Sequence, residues 1–161
     1  MLNYFYYAIN FMIIPSSQEM FNAVRNDNTR QIKLLIENGA DVNMKVENGW
    51  TPLHYASSSG GFYSIKLLIE NGADVNMKDK IGRTPLMVAL TYRDYEIAEI
   101  LIENGANVND RDNEGKTILD FVDIEKITPE FANLLKYGNY SDYCKSVIEK
   151  GHYTCQEAHV D

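Results

Sequence analysis

The chain has 161 residues, 45% hydrophobic and 24% charged, which leaves room for one domain or one short repeat array with tails and excludes long disorder. Its formal net charge is -8, and its fifteen Lys and Arg are scattered, most beside Asp or Glu, so no basic patch offers itself to nucleic acid. The two cysteines, Cys144 and Cys155, both fall in the last twenty residues; that is no disulfide scaffold, and a repeat region free of cysteine suits a reducing, cytoplasmic compartment.

Residues 1–14, MLNYFYYAINFMII, form the first segment and end at Pro15. The run is shorter than the roughly 18 apolar residues that span a bilayer. Asn3 and Asn10 interrupt it, and it lacks the opening Lys or Arg of a secretory signal. A cap over the exposed end of the following array is one reading. An atypical export signal or membrane anchor is the other.

From there the chain repeats. Asn-Gly-Ala-Asp-Val-Asn occupies residues 38–43, returns at 71–76, and returns with one change at 104–109, a period of 33. Gly39, Gly72 and Gly105 carry this period, and Gly138 lies one step further. A second series, Gly49, Gly82 and Gly115, is followed two residues later by Thr51, Thr84 and Thr117.

Each unit reads as helical. Ile32-Lys33-Leu34-Leu35-Ile36-Glu37 recurs as Ile65-Lys66-Leu67-Leu68-Ile69-Glu70 and as Ala98-Glu99-Ile100-Leu101-Ile102-Glu103. Apolar residues at i, i+2, i+3 and i+4 make a stripe wide enough to need cover on both flanks, which stacked neighbours provide. Gly39, Gly72 and Gly105 end these helices, since glycine takes positive φ without a Cβ penalty. Thr51-Pro52 and Thr84-Pro85 begin others: threonine caps free N–H groups, and proline suits the first helical position. A unit is therefore a turn, a short helix, a tight link and a second helix.

Thr51-Pro52-Leu53-His54-Tyr55-Ala56 resembles the ankyrin signature Thr-Pro-Leu-His-x-Ala, and 33 residues is that family's repeat length. Thr84-Pro85-Leu86-Met87-Val88-Ala89 replaces the histidine. Thr117-Ile118-Leu119-Asp120-Phe121-Val122 loses the proline and the alanine, and Gln18-Glu19-Met20-Phe21-Asn22-Ala23 loses Thr-Pro, as end repeats facing water do. The resemblance implies an all-α solenoid of helix-turn-helix units joined by β-turn or hairpin loops. The expected layout is an apolar segment 1–15, a repeat domain 16–147 in units 16–48, 49–81, 82–114 and 115–147, and a tail 148–161. Ile127-Thr128-Pro129 interrupts the fourth unit, so its second helix is expected to start near Pro129.

No residue set forms a catalytic or cofactor constellation. The resemblance gives His54 a bond to the neighbouring turn backbone, and Met87 one repeat on shows that no array-wide chemistry depends on it. Ser57-Ser58-Ser59 with Gly60-Gly61 lacks both the Gly-x-Ser-x-Gly elbow and a preceding strand, and reads as an interhelix link. Asp41, Asp74, Asn43, Asn76 and Asn109 recur one repeat apart, too far to converge on calcium, and suit turn backbone donors. In the tail, Cys144, His152, Cys155 and His159 are zinc-competent types at a spacing that fits no common finger; free thiols are the first reading, with a disulfide or a zinc as alternatives. Asn139-Tyr140-Ser141 matches a glycosylation sequon, relevant only to an exported chain.

The resemblance implies a non-catalytic module that grips a partner protein on a concave face of turn tips and first helices. A monomer is expected, with no nucleic acid and no cofactor; any membrane contact would fall to residues 1–14. The candidate partner-binding residues are Glu47, Asn48, Trp50, Ser58 and Ser59 in the second unit. Lys80, Ile81, Arg83, Thr91 and Tyr92 follow in the third, and Asn113, Glu114 and Lys116 in the fourth. Trp50, the only tryptophan, is read as the centre of a patch with Ile81, Arg83 and Tyr92, or else as packing across its own turn. A secreted or membrane-tethered effector, or a regulatory subunit addressing a host or enzyme partner, is the alternative function.

Overall fold

The computed structural model describes residues 17–122 and 127–137. The readings placed on residues 1–15, on the Asn139 sequon and on the Cys144–His159 cluster lie outside these. Helices run in pairs: α1 (Ser17–Arg25) with α2 (Thr29–Glu37), α3 (Pro52–Ser59) with α4 (Phe62–Glu70), and α5 (Pro85–Thr91) with α6 (Tyr95–Glu103). A 3-10 turn (Ile118–Phe121) and α7 (Pro129–Tyr137) complete the series. The first helices stack in one layer, α1 on α3 on α5 on the 3-10 turn. The second helices stack in another, α2 on α4 on α6 on α7. The core between the layers is continuous, with Met20, Leu53, Ile65, Leu86, Leu101 and Phe131 almost fully enclosed.

The expected local signals set these elements. Thr51 and Thr84 cap α3 and α5, their hydroxyls facing the N–H groups of His54 and Met87. At the end of α2 the Ala40 N–H reaches the Leu35 carbonyl and the Gly39 N–H reaches that of Ile36, the double bond that closes a helix on a left-handed residue. Gly39 has φ 87°, and the pattern repeats at Gly72 and Gly105. α7 begins at Pro129, as the interrupting triplet requires, with the Thr128 hydroxyl accepting the Phe131 N–H at 3.2 Å.

Two details differ from the sequence expectation. Leu67 and Ile100 are buried, but their counterpart Leu34 is 55% exposed. Leu34 has a repeat after it and no described repeat before it, so the preceding repeat is what buries this position. In the fourth unit the first helix shrinks to a single 3-10 turn. The Asp120 carboxylate folds back onto the Thr117 N–H (2.7 Å) and hydroxyl (3.0 Å), and Val122 is already extended. Those two bonds hold the Asp120 carboxyl below its ordinary pKa.

Candidate functional site

The turn tips join edge to edge. The Lys80 N–H donates to the Asn48 carbonyl (3.1 Å), and the Asn113 N–H donates to Ile81 (3.0 Å), a period of 33 carried into hydrogen bonds. Asn113 adds a side-chain bond to the Lys80 carbonyl, and Lys45 and Lys78 each reach a carbonyl 33 residues ahead. Gly82 sits where a Cβ would stand 2.7 Å from the Asn113 nitrogen, so only glycine lets the tips meet. Behind the tips, Asn43 bridges Gly72 and Asp74, and Asn76 bridges Gly105 and Asn107. Asp41 and Asp74 each accept the N–H two residues on, the turn role read for them, and Asn107 does the same one period later.

Trp50 is half-buried at the junction of the second and third tips. Its Nε1–H donates to Asp79 Oδ2 (3.1 Å); its ring stacks over His54 (6.1 Å) and meets Tyr55 edge-on (5.0 Å). Asp79 is the organiser, with a side chain only 2% exposed. One carboxylate oxygen accepts the N–H groups of Ile81 (3.0 Å) and Arg83 (2.8 Å); the other accepts Trp50 and Arg83 Nε (3.4 Å). Asp112 repeats the first half of this arrangement with the N–H groups of Glu114 and Lys116.

His54 is fully buried. Its Nδ1 accepts from the Thr51 N–H (3.1 Å), so its Nε2 carries the proton and donates to the Arg83 carbonyl (3.0 Å). Burial lowers its pKa from 6.5 against the opposing pull of that carbonyl. It is a fastener between repeats, and the Thr51 hydroxyl 2.8 Å from its Nδ1 is engaged as the cap of α3. The hydroxyls of Ser57, Ser58 and Ser59 turn back onto carbonyls of their own helix, at Leu53, Tyr55 and Ala56.

The remaining candidate residues spread over the same face. Glu47, Asn48, Lys80, Ile81, Asn113 and Glu114 are exposed at the tips, Ile81 to 53%. Lys116 pairs with Glu114 at 2.7 Å, a bond that raises the lysine pKa. Thr91 closes onto the Met87 carbonyl, and Tyr92, 60% exposed, caps the far end of α5. Trp50 and Arg83 are thus linked through Asp79, whereas Tyr92 stands a helix length away, about 10 Å. Arg25, Tyr55 and Phe21 extend this face toward the first unit. The Arg25 guanidinium lies 5.8 Å from the centre of the Tyr55 ring, and Phe21 packs on that ring at 4.8 Å. Arg25 stands one period before Ser58 and two before Thr91, so the register that nominated those two also points to it.

A separate cleft of about 500 Å³ opens beside α7, lined by residues including Val108, Ile118, Leu119, Ile127 and Leu135. No carboxylate, histidine or cysteine is among its described lining, and no cluster among the described residues has a metal-ligand arrangement. No described helix is long and apolar enough to cross a membrane.

Stacked helix pairs, edge-joined tips and a histidine fastener define a repeat scaffold, and comparison with known proteins agrees. A family model for three copies of the ankyrin repeat matches residues 20–121, and the chain belongs to the ankyrin-repeat family. Ankyrin repeats are protein-interaction modules without catalytic machinery of their own. Among curated proteins, the chain is 40% identical over 50 residues to Protein VAPYRIN-LIKE of Medicago truncatula, covering 31% of this chain and 11% of that protein. It is 46% identical over 41 residues to Protein phosphatase 1 regulatory subunit 27 of Mus musculus, covering 26% of this chain and 27% of the relative. The human counterpart matches to the same extent. The matched stretches therefore span about a quarter or less of these relatives' own length.

Proposed function

We propose that this chain is a non-catalytic binding module that grips a partner protein along the face built from its turn tips and first helices. The observation that carries the reading is the rigidity of that face: each tip is bonded to the next through the backbone, so little ordering entropy is lost on contact. Exposed Ile81 and Tyr92 add apolar area at its two ends. Affinity capture from cell extract, wild type against an Ile81→Ala, Tyr92→Ala double variant, tests it. A protein retained by the first and lost by the second supports the reading. Equal recovery by both overturns it.

A second reading is that the partner is an enzyme and the chain a regulatory subunit. The likeness to a protein named as a phosphatase regulatory subunit favours it. Phosphatase activity co-purifying with wild type and not with the double variant would bear this out. The compartment is read as cytoplasmic, and fractionation of tagged protein checks it against export or tethering.

A further inference from the structure

On the tip-and-helix face, four side chains form one strip across three repeats. Arg25 lies over Tyr55, Tyr55 meets Trp50 edge-on, and Trp50 connects through Asp79 to Arg83. The two guanidiniums at its ends are differently held, Arg25 exposed and Arg83 half-buried. Arg25 is exposed, and among the described residues it has no ion pair, only its ring contact. Arg83 is held by Asp79 through Nε alone, and its two Nη groups have no acceptor among the described residues. A guanidinium anchored at Nε presents its outer edge in a fixed direction, the geometry that receives a carboxylate.

Three carboxylates nearby are already engaged. Asp79 is shared among Trp50, Ile81 and Arg83, Asp112 accepts two N–H groups, and Glu114 pairs with Lys116. Glu47 remains exposed on the first tip, and Lys80, one period on, has no ion pair among the described residues. In a chain of net charge -8 this strip therefore carries two guanidiniums with open donors, Arg83 already paired to Asp79 through Nε, and aromatic surface between them.

We infer that the strip Arg25–Tyr55–Trp50–Arg83 receives an acidic linear segment of the partner protein, its carboxylates meeting the two guanidiniums and an apolar side chain lying on the rings between. The inference rests on the tip-and-helix face being the binding face. A basic segment would meet two guanidiniums whose open edges have only donors to offer, and the Arg25 charge has no ion pair among the described residues. A phosphorylated segment fits less well, because phosphate is gripped by clustered arginines and here two aromatic rings stand between them. The acidic remainder of the molecule repels such a partner at long range, so the contact depends on direct ion pairing and not on steering.

The test is selection of random linear peptides on the immobilised full chain. Selected peptides are then titrated against the fluorescence of Trp50 in wild type, Arg25→Gln, Arg83→Gln, Arg83→Lys and Tyr92→Ala, with thermal melts confirming that each variant is folded. The expected result is enrichment of two acidic residues flanking an apolar one. Affinity should fall about tenfold in either Arg→Gln variant, through loss of a charge-assisted hydrogen bond. Arg83→Lys should recover only part of the loss, since lysine keeps the charge without the fork. Neutral or basic winners that bind the arginine variants as well as wild type but lose affinity in Tyr92→Ala would overturn the acidic chemistry and leave the face standing. Winners indifferent to every variant, or no convergent sequence, would overturn both.

Discussion

The Asp27 carboxylate accepts both the backbone N–H and the hydroxyl of Ser64, 37 residues away, at 2.7 and 2.5 Å. It thereby caps a helix that is not its own. α2 and α6 are capped by the residue that precedes them, Asn28 and Asp94, but α4 starts after Gly61, which has no side chain to offer. Asp27, held at φ 48°, supplies the missing acceptor from the neighbouring repeat. One carboxylate is at once a helix cap and a bolt between units.

Asp27→Ala should destabilise the fold by about 2 kcal/mol, the upper range for loss of a cap, because a charge-assisted bond between repeats goes with it. Asp27→Asn, which keeps an acceptor, should cost about half as much. Urea denaturation followed by circular dichroism reads both, and equal stability of wild type and Asp27→Ala would show that Gly61 needs no cap.

Trp50 carries a structural share that its exposure at a turn conceals. Trp50→Phe keeps the ring contacts with His54 and Tyr55 and loses the bond to Asp79, at a cost of about 1 kcal/mol. Trp50→Ala removes the ring as well and should cost about 2–3 kcal/mol, below the range for a fully buried aromatic. Tyr92→Ala, on open surface, should stay within about 0.5 kcal/mol of wild type. Denaturation midpoints of the three separate packing from binding; a Trp50→Ala protein as stable as wild type would return Trp50 to a purely binding role.

The features legible in the sequence are those decided within a few residues. Gly39 ends α2 through bonds that reach back no further than Leu35, and Thr51 caps α3 through His54 three residues on. The pairings that shape the candidate face are of another kind. Trp50 to Asp79 spans 29 residues and Asp27 to Ser64 spans 37, neither a whole period, so each depends on how one unit sits against the next. Asp79 and Asp112 do recur in register, but in the first tip Val46 stands at that position, and a single pair gives little signal. Arg25 lies in register with Ser58 and Thr91, but its own unit lacks the Thr-Pro that marks the second and third, so the sequence signals it weakly.

Gly82 and Gly115 form a matched pair. Their φ values are 83° and 81°, so alanine incurs the same left-handed cost of about 1–2 kcal/mol at either position. A Cβ at Gly82 would also stand 2.7 Å from the Asn113 nitrogen, whereas at Gly115 it would enter open space. Gly82→Ala should therefore be the more damaging by at least about 1 kcal/mol. Thermal melts of the two variants measure the tip-to-tip contact directly; equal melting temperatures would mean that the tips separate without cost.

His54 makes stability depend on pH in a defined direction. Its folded pKa lies below the unfolded value of 6.5, so on acidification the unfolded chain takes up the proton first. The stabilisation is complete above pH 6.5 and declines as pH falls from 6.5 towards the folded pKa, where Nδ1 must give up its bond from Thr51. His54→Met, the residue found one repeat on, should be less stable than wild type at pH 7.5, with the gap narrowing towards pH 5. A constant difference across that range would show that His54 is not held neutral.

Tyr95 tests the opposite case, a polar group that costs stability. Its ring packs on Phe131 at 5.1 Å where α6 meets α7, and its hydroxyl is buried without a hydrogen-bond partner among the described residues. Unfolding returns that hydroxyl to water, so the folded state bears a desolvation penalty of about 1–3 kcal/mol that nothing offsets. Tyr95→Phe keeps the ring and removes the penalty, and should leave the fold as stable or up to about 1 kcal/mol more stable. Because α7 joins the array through this contact, the gain should appear first in the fourth repeat, as slower amide hydrogen exchange over residues 129–137. A loss of stability in Tyr95→Phe would mean that the hydroxyl finds a partner in solution.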